Sequence, residues 1–226
     1  MKARLKTNGV IIVCVILLIL IFPAAFLRHN RAPLDRASGI FGVAFIILGQ
    51  LLRVSGRGFK SEHSREGRSL VKGGPYGLVR NPMYLGILLV GLGMILLLFQ
   101  WWVLLIFLLI FGLRYISLIF TEEKKLEAEF SQEFQDYKRR VPRIIPSLPM
   151  MLKKDIAEYL PVKFPWLKKE IGTIVTVLFI ALVLESWQEI TYCGMKIYLK
   201  EIIAISSVIA LFGLIIGYLI KRTPGR

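Results

Sequence analysis

The chain is poor in the residues that build metal centres and disulfide frameworks. Its two cysteines, Cys14 and Cys193, stand far apart, one of them inside an apolar run, which excludes a disulfide scaffold. Its two histidines, His29 and His63, belong to no Cys/His cluster, so no metal site is assigned. Acidic residues are scarce as well: 15 Asp and Glu against 30 Lys and Arg, a net charge of +15. Such an excess points to nucleic acid or to a membrane. The basic residues do not form a stripe with interleaved aromatics, so a nucleic-acid surface is excluded. They fall in blocks between apolar runs, as in a membrane protein with basic loops. No small-residue cleavage site cleanly follows the first apolar run, so it is read as a span rather than a removable signal. Internal repeats and low-complexity tracts are also missing.

What is abundant is hydrophobic sequence, 55% of 226 residues. A membrane span needs about 20 apolar residues. Six segments qualify: Gly9–Leu27, Gly39–Leu52, Met83–Phe99, Trp101–Phe120, Ile171–Trp187 and Ile202–Ile220. The second is short and starts nearer Leu34. Only Gln100 separates the third from the fourth, with Trp101 and Trp102 beside it, which predicts a tight helical hairpin turning at an aromatic interface. With a cytosolic N-terminus, 24 of the 30 basic residues fall on the cytosolic side, as do both termini. The loop from Arg28 to Arg36 is the local exception. The expected fold is therefore all-α, a polytopic membrane bundle of about six transmembrane helices.

Two cytosolic segments are large, Arg53–Arg80 and Glu122–Glu170. In the second, Leu126, Phe130, Phe134 and Tyr137 or Val141 recur at helical spacing, which predicts an amphipathic helix continuing or restarting after span four. Prolines 142, 146 and 149 end it. The expected division is a four-span core with this helix, residues 1–150, and a linker with an appended hairpin, 151–226. The last span carries Gly213 and Gly217 in GxxxG spacing, which permits close helix contact. Packing within the monomer is the favoured reading, association between chains the other.

The stretch "GGPYGLVRNPMYLG", Gly73 to Gly86, opens span three. Asn81 followed by Pro82 is a helix start, with Asn as cap and Pro at the first helical position. Arg80 is out of place there, because it adds positive charge to a positive helix end. It fits if an anion is bound, and a helix N-terminus with an arginine suits a carboxylate or phosphate. At the end of span four stand Arg114, Thr121, Glu122 and Glu123. Thr121 and the acids fit the first turn of a new helix. An ionisable residue inside a span is a functional candidate, and Arg114 is also within snorkelling reach of the interface. At 100° per residue Glu122 falls about 80° from Arg114, and Glu123 falls opposite it; Glu122 is thus the acid to share a site with Arg114. "GLG", Gly91 to Gly93, follows no strand and reads as a place for helix approach.

These two blocks carry a resemblance. "LVKGGPYGLVRNPMYLG", then a hydrophobic hairpin, then "EEKKLEAEFSQEFQDYKRRVPRIIP" resembles the isoprenylcysteine carboxyl methyltransferase and phospholipid methyltransferase superfamily, integral membrane enzymes using S-adenosylmethionine. The family pattern is G-x-Y, R-H-P-x-Y, E-E-x-x-L and a tyrosine-basic stretch ending in V-P. The likeness covers about Arg53 to Pro146. It implies that Leu70, Val71, Tyr76, Asn81, Pro82, Met83, Tyr84 and Glu122 line the cofactor. The sulfonium of that cofactor suits tyrosine faces and a carboxylate, and its own carboxylate suits Arg80 at the helix start. Two positions depart: Asn81 stands where the family has His, and Leu118 where an arginine would reach the substrate carboxylate, leaving Arg114 a turn earlier. The implied reaction is methyl transfer to a lipophilic acceptor drawn from the bilayer. Carboxyl methylation of a prenylcysteine-like thioether, with Arg114 holding the acceptor, comes first. Methylation of a phospholipid amine, with Glu123 or Glu122 removing a proton, comes second. An NADPH-dependent membrane reductase on a similar scaffold and a non-catalytic scaffold binding anionic lipid are the other readings.

Overall fold

The computed structural model describes residues 21–28, 33–64, 69–147, 149 and 155–223. Most of the first expected span, with Cys14 and the basic N-terminus, lies outside them, as do His29, Arg31 and the 150–154 stretch where the chain was expected to divide. The regular structure of the described residues is all helical, with no strand; Leu27 and Phe99 make a single bridge. The elements are α1 (Pro23–Phe26), α2 (Pro33–His63), α3 (Pro75–Leu78), α4 (Pro82–Leu98), α5 (Trp101–Phe111), a π-turn (Gly112–Ile116), α6 (Ser117–Arg140), α7 (Ile156–Tyr159), α8 (Phe164–Tyr192) and α9 (Met195–Arg222).

Three stretches are helical, long and apolar enough to cross a membrane: Ala37–His63, Trp101–Arg140 and Met195–Arg222. Helix α4 is apolar but has 17 residues. The described residues thus give an all-helical integral membrane protein with three such helices, and the expectation of six spans goes beyond them. Much of the apolar surface of α5 is open, with Trp101 70% and Leu109 63% exposed, a surface that a bilayer would cover.

The bundle is organised by glycine contacts between α2 and α4. A Cβ on Gly93 would stand 2.5 Å from the carbonyl oxygen of Gly42, and one on Gly86 2.7 Å from that of Gly49. The pairs are seven residues apart on each helix, so two backbones touch along one seam. Val43, Ile46 and Ile47 of α2 and Leu85, Leu97 and Leu98 of α4 fill the core beside it. Ala181 of α8 and Ile205 and Leu219 of α9 join the same buried cluster. Trp166 lays its ring on Gly58 and donates Nε1–H to Glu62 at 2.7 Å, fastening α8 to the end of α2.

The expected hairpin turn forms: α4 stops at Leu98, α5 starts at Trp101, and Gln100 bonds to Phe26 and Leu27. Gly93 meets α2 and Gly91 meets the Phe107 ring, the close approach that "GLG" predicts. Gly213 and Gly217 differ from expectation. Among the described residues nothing lies within 4 Å of a Cβ on either, so neither packs against another described helix.

Candidate functional site

The amphipathic helix continues span four rather than restarting after it. From Trp101 the chain runs through a π-turn at Gly112–Ile116 and on to Arg140, broken only by a kink at Ser131. Thr121 therefore caps no helix; its hydroxyl donates to the carbonyl of Ser117, 2.9 Å away within the helix. The apolar stripe packs as its spacing predicts: Phe134, Tyr137 and Val141 form a buried cluster against Leu70, Leu126 and Phe130. Residue Ser131 interrupts α6 with φ +38°, beside Phe130.

The second block folds back on the first. Past α6, the carbonyl of Pro142 accepts from Arg80 N–H at 2.8 Å, and that of Arg143 accepts from Asn81 N–H at 3.2 Å. Asn81 begins α4 and Pro82 takes its first position, as expected, but the Asn81 side chain makes no cap hydrogen bond. Its Nδ2 donates instead to the carbonyl of Arg143 at 3.1 Å. The return loop thus supplies the acceptor, and the amide is drawn away from the helix end.

One turn into α4, Tyr84 donates its hydroxyl to Glu122 Oε1 at 2.7 Å. The Tyr84 ring also meets Tyr115, centroids 5.4 Å apart, and Tyr115 stacks on Phe111 at 4.5 Å. The π-turn carries Tyr115 on this line, and a π-turn is frequent at functional sites. Tyr76 lies near enough to Glu122 to feel its charge. Burial first, and then Glu122, raise the Tyr76 phenol well above its ordinary value, so it stays neutral.

Glu123 goes elsewhere. Its side chain is 7% exposed and accepts from Arg143 Nε at 3.2 Å and Nη2 at 2.9 Å, with Arg80 Nη1 at 3.2 Å. The anion that Arg80 calls for at a helix start is thus partly internal. The Arg80 contact falls within ion-pair distance but lacks hydrogen-bond alignment, and Arg80 Nε is buried with no hydrogen-bond partner among the described residues. Burial lowers the pKa of this guanidinium, while Glu123 pulls it back up.

A cavity of about 220 Å³ lies against these residues, lined by Leu70, Val71, Tyr76 and Arg80 from the first block and by Glu129 and Phe130 from α6. Tyr137 closes one wall and donates its hydroxyl to the Tyr76 carbonyl at 2.7 Å. On its other side, Tyr137 borders a larger cavity of about 450 Å³ with Lys72, Glu133, Asp136 and Arg140. Four of the expected cofactor residues thus share the smaller cavity. Tyr84 and Glu122 join each other, while Pro82 and Met83 pack on Gly56 of α2 and Asn81 serves the return loop. Arg114 is exposed on the π-turn and makes no ion pair among the described residues. The resemblance did not single out Tyr115, Glu129 or Arg143. Only Arg143 had a signal, its place just after V-P in the second block.

The comparisons fall on this region. Residues 37–133 match the model of the phospholipid methyltransferase family. That match covers 97 of the 226 residues, and the curated relatives are similar over nearly the same share of the chain. The chain is 34% identical over 122 residues to the cobalt-zinc-cadmium resistance protein CzcN of Cupriavidus metallidurans, covering 53% of this chain and 52% of that one. It is 32% identical over 115 residues to the protein-S-isoprenylcysteine O-methyltransferase of Schizosaccharomyces pombe, covering 47% and 49%. The chain spans about half the length of the curated relatives it matches. No solved structure matches it. Every one of the expected site residues, from Leu70 to Glu123, lies within the matched segment.

A second cluster has no counterpart in the sequence reading. Glu185, Glu189 and Glu201 bring carboxylate oxygens within 4.8 Å of one another between α8 and α9. Gln188, among them, donates to the carbonyl of Leu98 at the far end of α4. The cluster is therefore a helix length away from Tyr84.

Proposed function

We propose that this chain is an S-adenosylmethionine-dependent methyltransferase acting on a lipophilic acceptor taken from the bilayer. The observation that carries this reading is the Tyr84–Glu122 hydrogen bond, formed between the two blocks of the superfamily pattern beside a cavity walled by Tyr76 and Arg80. The cofactor fits on chemical grounds. Arg80 Nε is buried and lacks a hydrogen-bond partner among the described residues, which suits a carboxylate, and Glu129 in the lining of the same cavity suits an ammonium. Leu70, Val71 and Phe130 offer an apolar wall. When bound, S-adenosylmethionine supplies a methyl group made electrophilic by a sulfonium cation. Glu122 and the faces of Tyr76 and Tyr84 would hold that positive charge, and packed helices would keep water out. The positive-inside count supports a cytosolic site with both termini on the same side.

The preferred acceptor is a carboxylate of the prenylcysteine type. Glu123 is engaged by Arg143 and Arg80, so the residue earlier considered as base is already paired. A carboxylate acceptor needs no base, only a cation to hold it, and Arg114, exposed and in no ion pair among the described residues, is the candidate. A phospholipid amine is the second reading, favoured by the family description; it would depend on Glu122 to take a proton. Incubating the detergent-purified chain with methyl-labelled S-adenosylmethionine and each acceptor in turn separates them. Transfer to a farnesylated cysteine derivative is expected and is lost in Glu122→Gln and Arg114→Ala. Transfer only to phosphatidylethanolamine selects the second reading, and no transfer to any bilayer lipid or thioether refutes both.

A further inference from the structure

The acid pair at 122 and 123 does two jobs, and one residue outside the expected site divides them. We infer that Arg143 is a positioning residue that holds Glu122 against Tyr84 without touching acceptor or cofactor; its bearing on methyl transfer rests on the function proposed above. Successive helical residues point about 100° apart, so fixing Glu123 fixes the direction of Glu122. Glu123 is buried, and a buried carboxylate is held only by partners that hydrogen-bond it. Arg143 provides them: its Nε lies 3.2 Å from both oxygens and its Nη2 2.9 Å from Oε2. Arg80 lies within ion-pair range but is not aligned to bond. The Arg143 guanidinium also lies over the Phe120 ring at 4.3 Å, which sets its plane.

The same residue holds the other partner. Its carbonyl receives two N–H groups of Asn81, from backbone and side chain, three residues before Tyr84. Both ends of the 2.7 Å Tyr84–Glu122 bond are thus fixed by Arg143, one through its side chain and one through its backbone. This gives position 81 a clamping role that histidine, with a ring N–H, would serve as well. A lysine at 143 keeps the charge but loses the planar fork and the ring contact.

The test uses the full chain in detergent with 3-fluorotyrosine at position 84, read by fluorine NMR with no cofactor present. Glu122→Gln is expected to move the resonance. Arg143→Ala is expected to move it to the same place, and Arg143→Lys, the milder change, in the same direction. A resonance unmoved by both Arg143 variants overturns the inference. Calorimetric titration of S-adenosylhomocysteine then reads the consequence. Arg143→Ala weakens binding about tenfold, the scale of one charged hydrogen-bond network, but costs less than about twofold on a Glu122→Gln background, since coupled residues are non-additive. Equal losses on both backgrounds indicate a merely structural role and also overturn it. If the unaltered chain binds no S-adenosylhomocysteine while the fluorine signal moves as described, the methyltransferase reading fails and the positioning role stands.

Discussion

Replacing Gly86 by alanine tests whether the α2–α4 seam sets the site. The added methyl carbon would stand 2.7 Å from the backbone oxygen of Gly49 and 2.6 Å from Arg53 Cγ. The arginine stem can swing away, but the carbonyl cannot. Restoring ordinary contact at about 3.4 Å requires the helices to part by roughly 0.7 Å, an overpacking strain of about 1–3 kcal/mol. For a chain of this size that is a melting-temperature loss of about 2–12 °C. Tyr84 is two residues away on the same helix. A shift of that size along its 2.7 Å bond to Glu122 carries it to about 3.4 Å, beyond good hydrogen-bond length. Both thermal unfolding in detergent and S-adenosylhomocysteine affinity should therefore fall. Gly217→Ala is the control, since nothing among the described residues lies within 4 Å of its methyl position, and it should leave both unchanged. Wild-type stability in Gly86→Ala, or an equal loss in Gly217→Ala, would refute the reasoning.

Glu123→Gln leaves the Arg143 and Arg80 guanidinium groups facing a neutral amide, and the chain should lose about 2–4 kcal/mol of stability, read by thermal unfolding. Tyr137→Phe removes the bond to the Tyr76 carbonyl and should cost about 1 kcal/mol while weakening cofactor binding, read by calorimetry. Ser131→Gly relieves a non-glycine φ of +38° and should raise the melting temperature; a fall would show that the hydroxyl matters more than the backbone. The Tyr76 phenol titrates higher in the fold than the ordinary value of 10.0, so its contribution is intact below pH 10 and is lost as pH rises. Stability should decline above pH 10, and Tyr76→Phe should reduce that decline.

What the sequence made legible was local. The proline and asparagine at 81–82 marked a helix start, Gln100 between tryptophans marked a turn, and the 126–141 spacing marked a buried stripe. Pairing the two blocks also brought Tyr84 to Glu122. The rest depends on neighbours that spacing does not reveal. Counting 100° per residue from Arg114 assumes a continuous α-helix, and the π-turn that holds Arg114 breaks that count. Thr121 has the residue type of a cap, but the helix runs through it. Asn81 has it too and starts its helix, yet the Arg143 carbonyl takes its amide. Glycines 213 and 217 share the spacing of a packed seam, but among the described residues the glycines at which a second helix backbone comes close are 42, 49, 86 and 93.

The central claim is that a cationic methyl donor sits between the start of α4 and the middle of the Trp101–Arg140 helix. Ultraviolet crosslinking of labelled S-adenosylmethionine to the purified chain, followed by peptide mapping, tests it most directly. Label on peptides containing Tyr76, Tyr84 or residues 117–130, competed away by S-adenosylhomocysteine, is the predicted result. Label confined to α8 and α9, or none that the competitor displaces, would contradict it.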